Sequence, residues 1–426
     1  MVDHTLPQGW KLARLADLGE VNRGRSRHRP RYAEHLYGGP YPFIQTGDIR
    51  ESGGRITKHS QTYSEEGLRQ SRLWPAGTLC ITIAANIAET AVLTYPACFP
   101  DSVVGFIAND CVCDVRFVEY VFRQLRKRLQ WEASGSVQDN INLETLNRLT
   151  LALPPLSVQK EIVSILGAID DKIDLNRRMN ETLEAIARAI FKAWFVDFDP
   201  VREGHPLFPR TFVESVNGGR AVPHGWKLEA LPQALEVNPH RRLSAEEKAP
   251  YLDMANLPTS AARAIDWAER EFGSGMRFKN GDVLVARITP CLENGKTAYV
   301  DFLEEGQVGW GSTEYIVLRS KPPLPTEYAY FLARSEGFRA HAITNMTGTT
   351  GRQRVPVSCF NSFKVVVPSP AVAEEFGKFA ETTMAGLKRN DEESRTLASL
   401  RDTLLPKLLS GEIRMKQAEK MVGKAV

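Results

Sequence analysis

Residues 162–194 read IVSILGAIDDKIDLNRRMNETLEAIARAIFKAW, and the spacing of the apolar residues here decides the architecture. Ile162, Leu166, Ile169, Ile173, Asn176, Asn180, Leu183, Ala187, Ile190 and Trp194 alternate steps of four and three, a heptad seam. A second seam repeats every step at one constant offset: Phe376, Ala380, Thr383, Leu387, Asn390, Ser394, Leu397, Arg401, Leu404 and Leu408. The central polar pair is repeated too, Asn176 and Asn180 answering to Asn390 and Ser394. A surface helix packed only on its own domain needs no stripe so long and narrow. The pattern predicts two helices paired as an antiparallel coiled coil, each of about 38 residues and near 57 Å long at about 1.5 Å per residue. Asparagines on a seam cost stability but fix register. A pseudo-two-fold axis through the middle brings the polar layers together. Thr383 and Arg401 are the weak points of the second seam.

Outward from the helices the chain is also written twice. Pro7-Gln8-Gly9-Trp10-Lys11-Leu12 returns as Pro223-His224-Gly225-Trp226-Lys227-Leu228, and Glu20-Val21-Asn22 returns as Glu236-Val237-Asn238 at the same offset. Trp10 and Trp226 read as core anchors. Polar segments Ser134 to Gln138 and Thr347 to Gly351 each precede a short apolar strand ending in proline, Leu149 to Pro155 and Phe363 to Pro368. The order is domain, helix, domain, helix: a first domain at 1–156, a long helix at 157–196, and a linker at 197–220, rich in Pro and Gly. A second domain at 221–370, a long helix at 371–413 and a tail at 414–426 complete the chain. The domains mix short β-rich runs (Gly77 to Ile83, Gly281 to Ala286) with a helical stretch near Val115 to Trp131. This predicts α/β or α+β domains, two in pseudo-two-fold arrangement, joined by the helix pair.

An apolar fraction of 42% with 25% charged residues is that of a globular protein, and a formal charge of +3 does not by itself announce nucleic acid. The six cysteines form no CxxC pair, so reduced buried thiols in a cytoplasmic protein are expected, not zinc. The opening MVDHTLPQGWKLARL lacks the apolar core of a signal peptide, and no apolar run reaches the roughly 18 residues of a membrane span. Gly295-Lys296-Thr297 resembles the tail of a phosphate loop, but Pro290 stands where its first glycine belongs, and a hairpin turn is expected instead. Asn238-Pro239-His240 is not a methyltransferase turn, and no glycine-rich methyl-donor loop appears. Glu246-Glu247-Lys248 reads as a solvated face, and the eight histidines show no metal spacing. The expectation is a non-catalytic chain with no cofactor of its own.

Basic and polar segments point to DNA. Arg23, Arg25, Arg27, Arg29 and Arg31 fall within nine residues, interleaved with Gly24, His28 and Pro30. Five guanidinium groups so close together repel one another unless an anion lies opposite, and DNA phosphates fit. Arg241 and Arg242 occupy the related place in the second half. The polar loops add Ser136, Gln138 and Asn140, and Thr350, Arg352, Gln353 and Arg354. Gln and Asn suit adenine edges, and Arg suits guanine. Gln45, Asp48 and Arg50, after an apolar strand, are a third set.

The same residues resemble a known family. The Gly-Trp-Lys-Leu opening of each half, the stretch Leu153-Pro154-Pro155-Leu156-Ser157-Val158-Gln159-Lys160-Glu161-Ile162, the run Ala189 to Phe198 and the terminal Leu404 to Ile413 are similar to specificity subunits of Type I restriction-modification systems. Pro368 to Ala373 departs, lacking the Gln-Lys-Glu-Ile run. The resemblance implies that each domain reads half of a split, asymmetric site in double-stranded DNA, with the helices setting the spacer. It implies as partners two methyltransferase (modification) subunits for adenine methylation and motor-nuclease (restriction) subunits, and no membrane. Two other readings are a fused restriction-methylation enzyme, which lacks its motifs here, and a coiled-coil scaffold that reads no DNA.

Overall fold

The computed structural model describes residues 6–134, 141–215, 219–349 and 351–423. Its chain forms two compact units: residues 1–173 with 396–426, and residues 174–395. The helices are therefore not a separate body. The central helix, Leu156–Lys192, gives its first half to unit 1 and its second half to unit 2, and the terminal helix, Pro370–Leu409, does the reverse.

Each unit closes on itself in the same way. Strand Lys11–Arg14 pairs antiparallel with Thr150–Leu153, and Lys227–Ala230 pairs with Lys364–Val367. The repeated Pro-x-Gly-Trp is the turn that starts this ribbon. Trp10 N donates to Pro7 O and Trp226 N to Pro223 O, both at 3.0 Å, while Gly9 and Gly225 take φ +85° and +80°. That is a type II turn, whose third residue favours glycine because a side chain there is strained. Trp226 is buried, and Trp10 is half-buried beside Gly411, which lies just past the terminal helix.

The main sheets share one strand order. In unit 1 it runs Gly19–Arg23, Val103–Ala108, Leu79–Thr82, Thr90–Leu93, with Arg55–Ile56 added at the edge. In unit 2 it runs Leu235–Val237, Tyr315–Ser320, Val283–Ala286, Thr297–Tyr299. Among the described residues pairing is antiparallel apart from two short parallel ladders, at Arg55–Ile56 and at Lys248–Leu252, and two isolated parallel bridges, Phe43 with Cys98 and Arg263 with Tyr299, so the domains are α+β. Lys296 lies in the hairpin between the last two strands, as the turn reading expects, and its Nζ donates to the Met254 carbonyl at 2.5 Å.

The helices pair antiparallel within each unit. In unit 1, Ile162, Leu166 and Ile169 share a core with Leu397, Leu404 and Leu408, and Ile173 packs at its edge. In unit 2, Ala187 joins Phe376, Ala380 and Leu387, with Leu183, Ile190 and Trp194 packed against them. The polar layers meet there. Asn176 Nδ2 donates to Glu393 Oε2 at 2.8 Å, Asn180 Nδ2 to Asp391 Oδ1 at 2.7 Å, and Asn390 Nδ2 to Asn180 Oδ1 at 2.8 Å. Asn176 and Asn390 are buried, and the Nδ2 of each finds its acceptor in this register, while Asn176 Oδ1 is left without a partner.

The segment read as a linker is part of unit 2. A π turn at Ala193–Asp197 ends the central helix, and Phe198 caps it in the left-handed region, φ 60°. Phe195, Phe198, Val201, Phe208 and Val222 then enter one core with Trp226, Tyr328 and Phe376. Burying these rings outweighs the composition of a flexible tether. The expected tail likewise holds a helix, Met415–Val422, whose Ala418 is fully buried in the unit 1 core.

Arg401, the weak point of the seam, has a purpose. Its Nη1 meets Asp170 Oδ1 at 3.0 Å, and Asp170 also accepts from Tyr120 Oη at 2.7 Å and Arg123 Nη1 at 3.1 Å. Burial pushes the Asp170 carboxyl up, but Arg123, Tyr120 and Arg401 together hold it below the usual 3.8. A carboxylate depressed by folding stabilises above its unfolded pKa and loses that contribution as pH falls through the folded value. Asp170→Asn is therefore expected to cost about 3 kcal/mol at pH 7. The gap to wild type should narrow in urea melts below about pH 4. An equal deficit at pH 7 and pH 3 would reject this assignment.

Candidate nucleic-acid interface

Strand registers in unit 1 bring four ends to one sheet edge: the end of Gly19–Arg23, the start of Val103–Ala108, the end of Leu79–Thr82 and the start of Thr90–Leu93. The arginine loop leaves from this edge. Gly24 N donates to Val103 O at 2.8 Å and Arg25 N to Phe99 O at 3.1 Å, so the chain continues extended. Alternation then sorts the side chains: Gly24 and Ser26 are buried, whereas Arg23, Arg25 and Arg27 are exposed. Alternate residues of an extended chain share a side, about 6–7 Å apart. Position 24 must be glycine, because a β-carbon there would lie 2.3 Å from the Pro100 carbonyl oxygen. Arg29 and Arg31 are also exposed but differ in their contacts. Arg29 Nη1 donates to the Ser26 and His28 carbonyls at 2.7 and 2.8 Å, and Arg31 pairs with Asp101 at 2.9 Å. Among the described residues no ion pair neutralises Arg23, Arg25 or Arg27.

The third set divides. Gln45 Nε2 donates to Gln61 Oε1 at 2.6 Å, and Asp48 Oδ2 accepts from Gln45 N at 2.7 Å and Ser60 Oγ at 3.2 Å. Asp48 thus holds the start of the short helix Thr46–Glu51, where an acid suits the free amides, and is not turned outward as a reader. Arg50 is exposed, and its Nη1 donates to Asn86 Oδ1 at 3.2 Å. Asn86 lies in the loop 83–89, which leaves the same sheet edge. Ile141 N donates to Ile83 O at 3.1 Å, so the chain after residue 140 rejoins that edge. Ser136, Gln138 and Asn140 lie outside the described residues, as does Thr350.

Unit 2 builds the corresponding edge from Arg287, Glu314 and the loops 287–296 and 347–354. Arg287 N donates to Glu314 O and Val355 N to Arg287 O, both at 2.9 Å, and Thr289 N donates to Gln353 O at 3.0 Å. The polar loop is clamped at its base, where Thr347 and Arg354 bridge. Arg354 Nε reaches both oxygens of Glu314, at 2.8 and 3.0 Å, so this arginine positions the loop. Gln353 is half-buried, and Arg352 is exposed. Arg241 does not match Arg25 in space. The chain turns back at Asn238, φ 52°, and Arg241 Nη2 meets Asp282 Oδ1 at 3.2 Å, at the start of strand Val283–Ala286; Arg287 lies just past its end. Asp282 is fully buried, so Arg241 neutralises an interior carboxylate, while Arg242 remains exposed.

Sequence reasoning missed Asn86, Arg287 and Glu314. The signal available was a second repeat: Gly77-Thr78-Leu79 and Gly281-Asp282-Val283 begin equivalent strands, and the missed loops come after each. Among the described residues no group of His, Cys, Asp and Glu could hold a metal ion. Burial pushes the Cys98 and Cys113 thiols up to about 11, away from nucleophilic or ligating chemistry. No described helix is long and apolar enough to cross a membrane.

Residues 7–185 match the family described as the Type I restriction modification DNA specificity domain. The type I restriction enzyme MjaIX specificity subunit of Methanocaldococcus jannaschii is 22% identical over 97% of this chain and 95% of its own. The HindI specificity subunit of Haemophilus influenzae is 25% identical over 66% of this chain and 73% of its own. The fold is similar to that of the S subunit of a type I restriction-modification system from M. genitalium, with TM-score 0.55, 15% identity, and coverage of 96% of this chain and 97% of that one.

The two kinds of arginine separate experimentally. The double variant Arg25→Ala, Arg27→Ala should bind duplex DNA more weakly and reduce the slope of log affinity against log salt by about two, close to one per phosphate contact. Arg241→Ala should lower the thermal midpoint and leave that slope unchanged. A reversed pattern in salt titrations and melts would exclude the division.

Proposed function

We propose that this chain is the sequence-reading subunit of a Type I restriction-modification system, a reading supported by its match to the DNA specificity domain and by the relatives it resembles along its length. Its domains at 1–156 and 221–370 each read one half of a bipartite, asymmetric site in double-stranded DNA. The observation that carries this reading is the repeated sheet edge. Two domains share one strand order; the second presents a clamped polar loop beside the loop 287–296, and in the first a row of outward arginines leaves the sheet edge that the chain rejoins at Ile141. Arginines on an extended chain suit phosphates, which fix position, while loop side chains suit base edges, which fix sequence.

In this reading the paired helices set the unread spacer and seat two modification subunits, which supply the methyl donor and the adenine chemistry. Motor-nuclease subunits join for restriction. Joining two weak readers makes the second contact intramolecular, so affinity rises without new contacts. Half-site spacing then becomes a geometric property of the helices.

Two experiments address the division of labour, both read as maps of modified adenine from cells expressing the chain with its methyltransferase. Inserting four residues in the central helix adds about 6 Å and rotates the distal part of the helix by about 40°. The spacer should lengthen while both half-sites stay as they were; unchanged spacing would refute a helical ruler. Replacing residues 1–156 with the matching domain of a relative should change one half of the motif alone. Changes in both halves would rule out independent readers.

A further inference from the structure

The arginine loop of unit 1 ends in a turn that leaves an aromatic ring in water. Ala33 N donates to Pro30 O at 3.3 Å, which closes a β-turn with Arg31 and Tyr32 at its central positions. Tyr32 is 78% exposed, and among the described residues it makes no hydrogen bond or ring contact. Single exposed rings are ordinary on a protein surface. This one differs in how firmly its neighbours are held. Arg31 Nη2 reaches both oxygens of Asp101, at 2.9 and 3.0 Å, and Tyr37 Oη donates to the Arg31 carbonyl at 3.0 Å. On the other side, Ala33 packs against the buried cluster of Leu36 and Tyr63. Earlier in the loop, Ser71 Oγ donates to the Arg25 carbonyl at 2.8 Å and His28 N to Gln70 Oε1 at 2.9 Å. The backbone is fixed on both sides of a ring that nothing in the chain covers.

The anchor at Asp101 also sets where the ring stands. Asp101 precedes Ser102, whose carbonyl accepts from Ile83 N at 2.9 Å. Ile83 opens the loop 83–89, and its own carbonyl receives Ile141 N, where the chain returns. Tyr32 is therefore tethered to the sheet edge from which the loops of the first domain leave. Its surroundings are cationic: the stretch 23–35 holds five arginines and one carboxylate, Glu34. Three of those arginines, Arg23, Arg25 and Arg27, have no ion pair among the described residues. A polyanion suits such a loop better than an apolar protein surface does.

We infer that the Tyr32 ring packs against a DNA base in the half-site read by the first domain, while the arginines before it hold the backbone. The inference rests on the proposed function. A tyrosine has few rotamers to lose, so a ring already fixed at its backbone binds at low entropic cost. A duplex offers it the thymine methyl in the major groove or the face of a base at an opened step.

The test uses the full chain with its methyltransferase subunits and a labelled duplex carrying the mapped motif. Tyr32→Ala is expected to weaken binding about tenfold, and Tyr32→Phe to keep most of the affinity because the ring remains. The salt slope should match wild type, since no charge is removed, which separates this residue from Arg25 and Arg27. Sensitivity to base changes should fall only in the half-site that exchange of residues 1–156 alters. The thermal midpoint should not move, because the ring supports nothing in the fold. Wild-type affinity in Tyr32→Ala overturns the inference. So does an equal loss in Tyr32→Phe, or a loss of methyltransferase assembly in place of DNA affinity. In each case a wild-type complex that prefers the motif leaves the proposed function standing. A wild-type complex without that preference overturns both.

Discussion

The register of the two long helices depends on a small polar layer in an apolar seam. Asn176, Asn180 and Asn390 exchange hydrogen bonds with Glu393, Asp391 and one another across the pair. Leucines in their place would bind more strongly and discriminate less, since an apolar seam tolerates a slip by one heptad and a buried amide does not. The layer is also anchored sideways. Asp391 Oδ2 accepts from Arg263 Nη1 at 2.6 Å, and Arg263 Nε donates to Asp301 at 2.5 Å, so the second domain holds the layer from outside the pair. In unit 1 the junction of Asp170, Arg401 and Arg123 plays the corresponding part. Both are charged groups withdrawn from water and neutralised in place, an arrangement that specifies geometry more than it adds stability.

The features legible in the sequence were those fixed by short-range periodicity. Steps of four and three exposed the helix seams, and the seam residues are buried or half-buried as the pattern requires. The repeated Gly-Trp was legible as a repeat, though its cause, a left-handed glycine starting the closing ribbon, needed coordinates. The linker was misread because proline and glycine are counted as breakers. Phe198, Val201 and Phe208 sit at turns and still fill a core assembled from distant segments. Composition reports local stiffness and does not report which partners wait elsewhere in the chain.

The candidate interface was legible where one segment carries it and illegible where two segments combine. Arg23, Arg25 and Arg27 alternate with small residues, so an extended chain suffices to turn them outward. Arg241 sits at the equivalent position in sequence, but one left-handed residue before Pro239 reverses the path and sends the side chain to Asp282. Asn86 and Glu314 are separated by long stretches from the loops they support, and only strand pairing places them there.

The crossing of the helices between units has a consequence for biosynthesis. Ile162, Leu166 and Ile169 emerge from a ribosome early, yet the leucines at 397, 404 and 408 that cover them are made last. The first unit cannot finish its core until translation has passed through the entire second domain. In the interval a greasy strip stays open on a nascent chain, and premature termination anywhere downstream leaves it open for good.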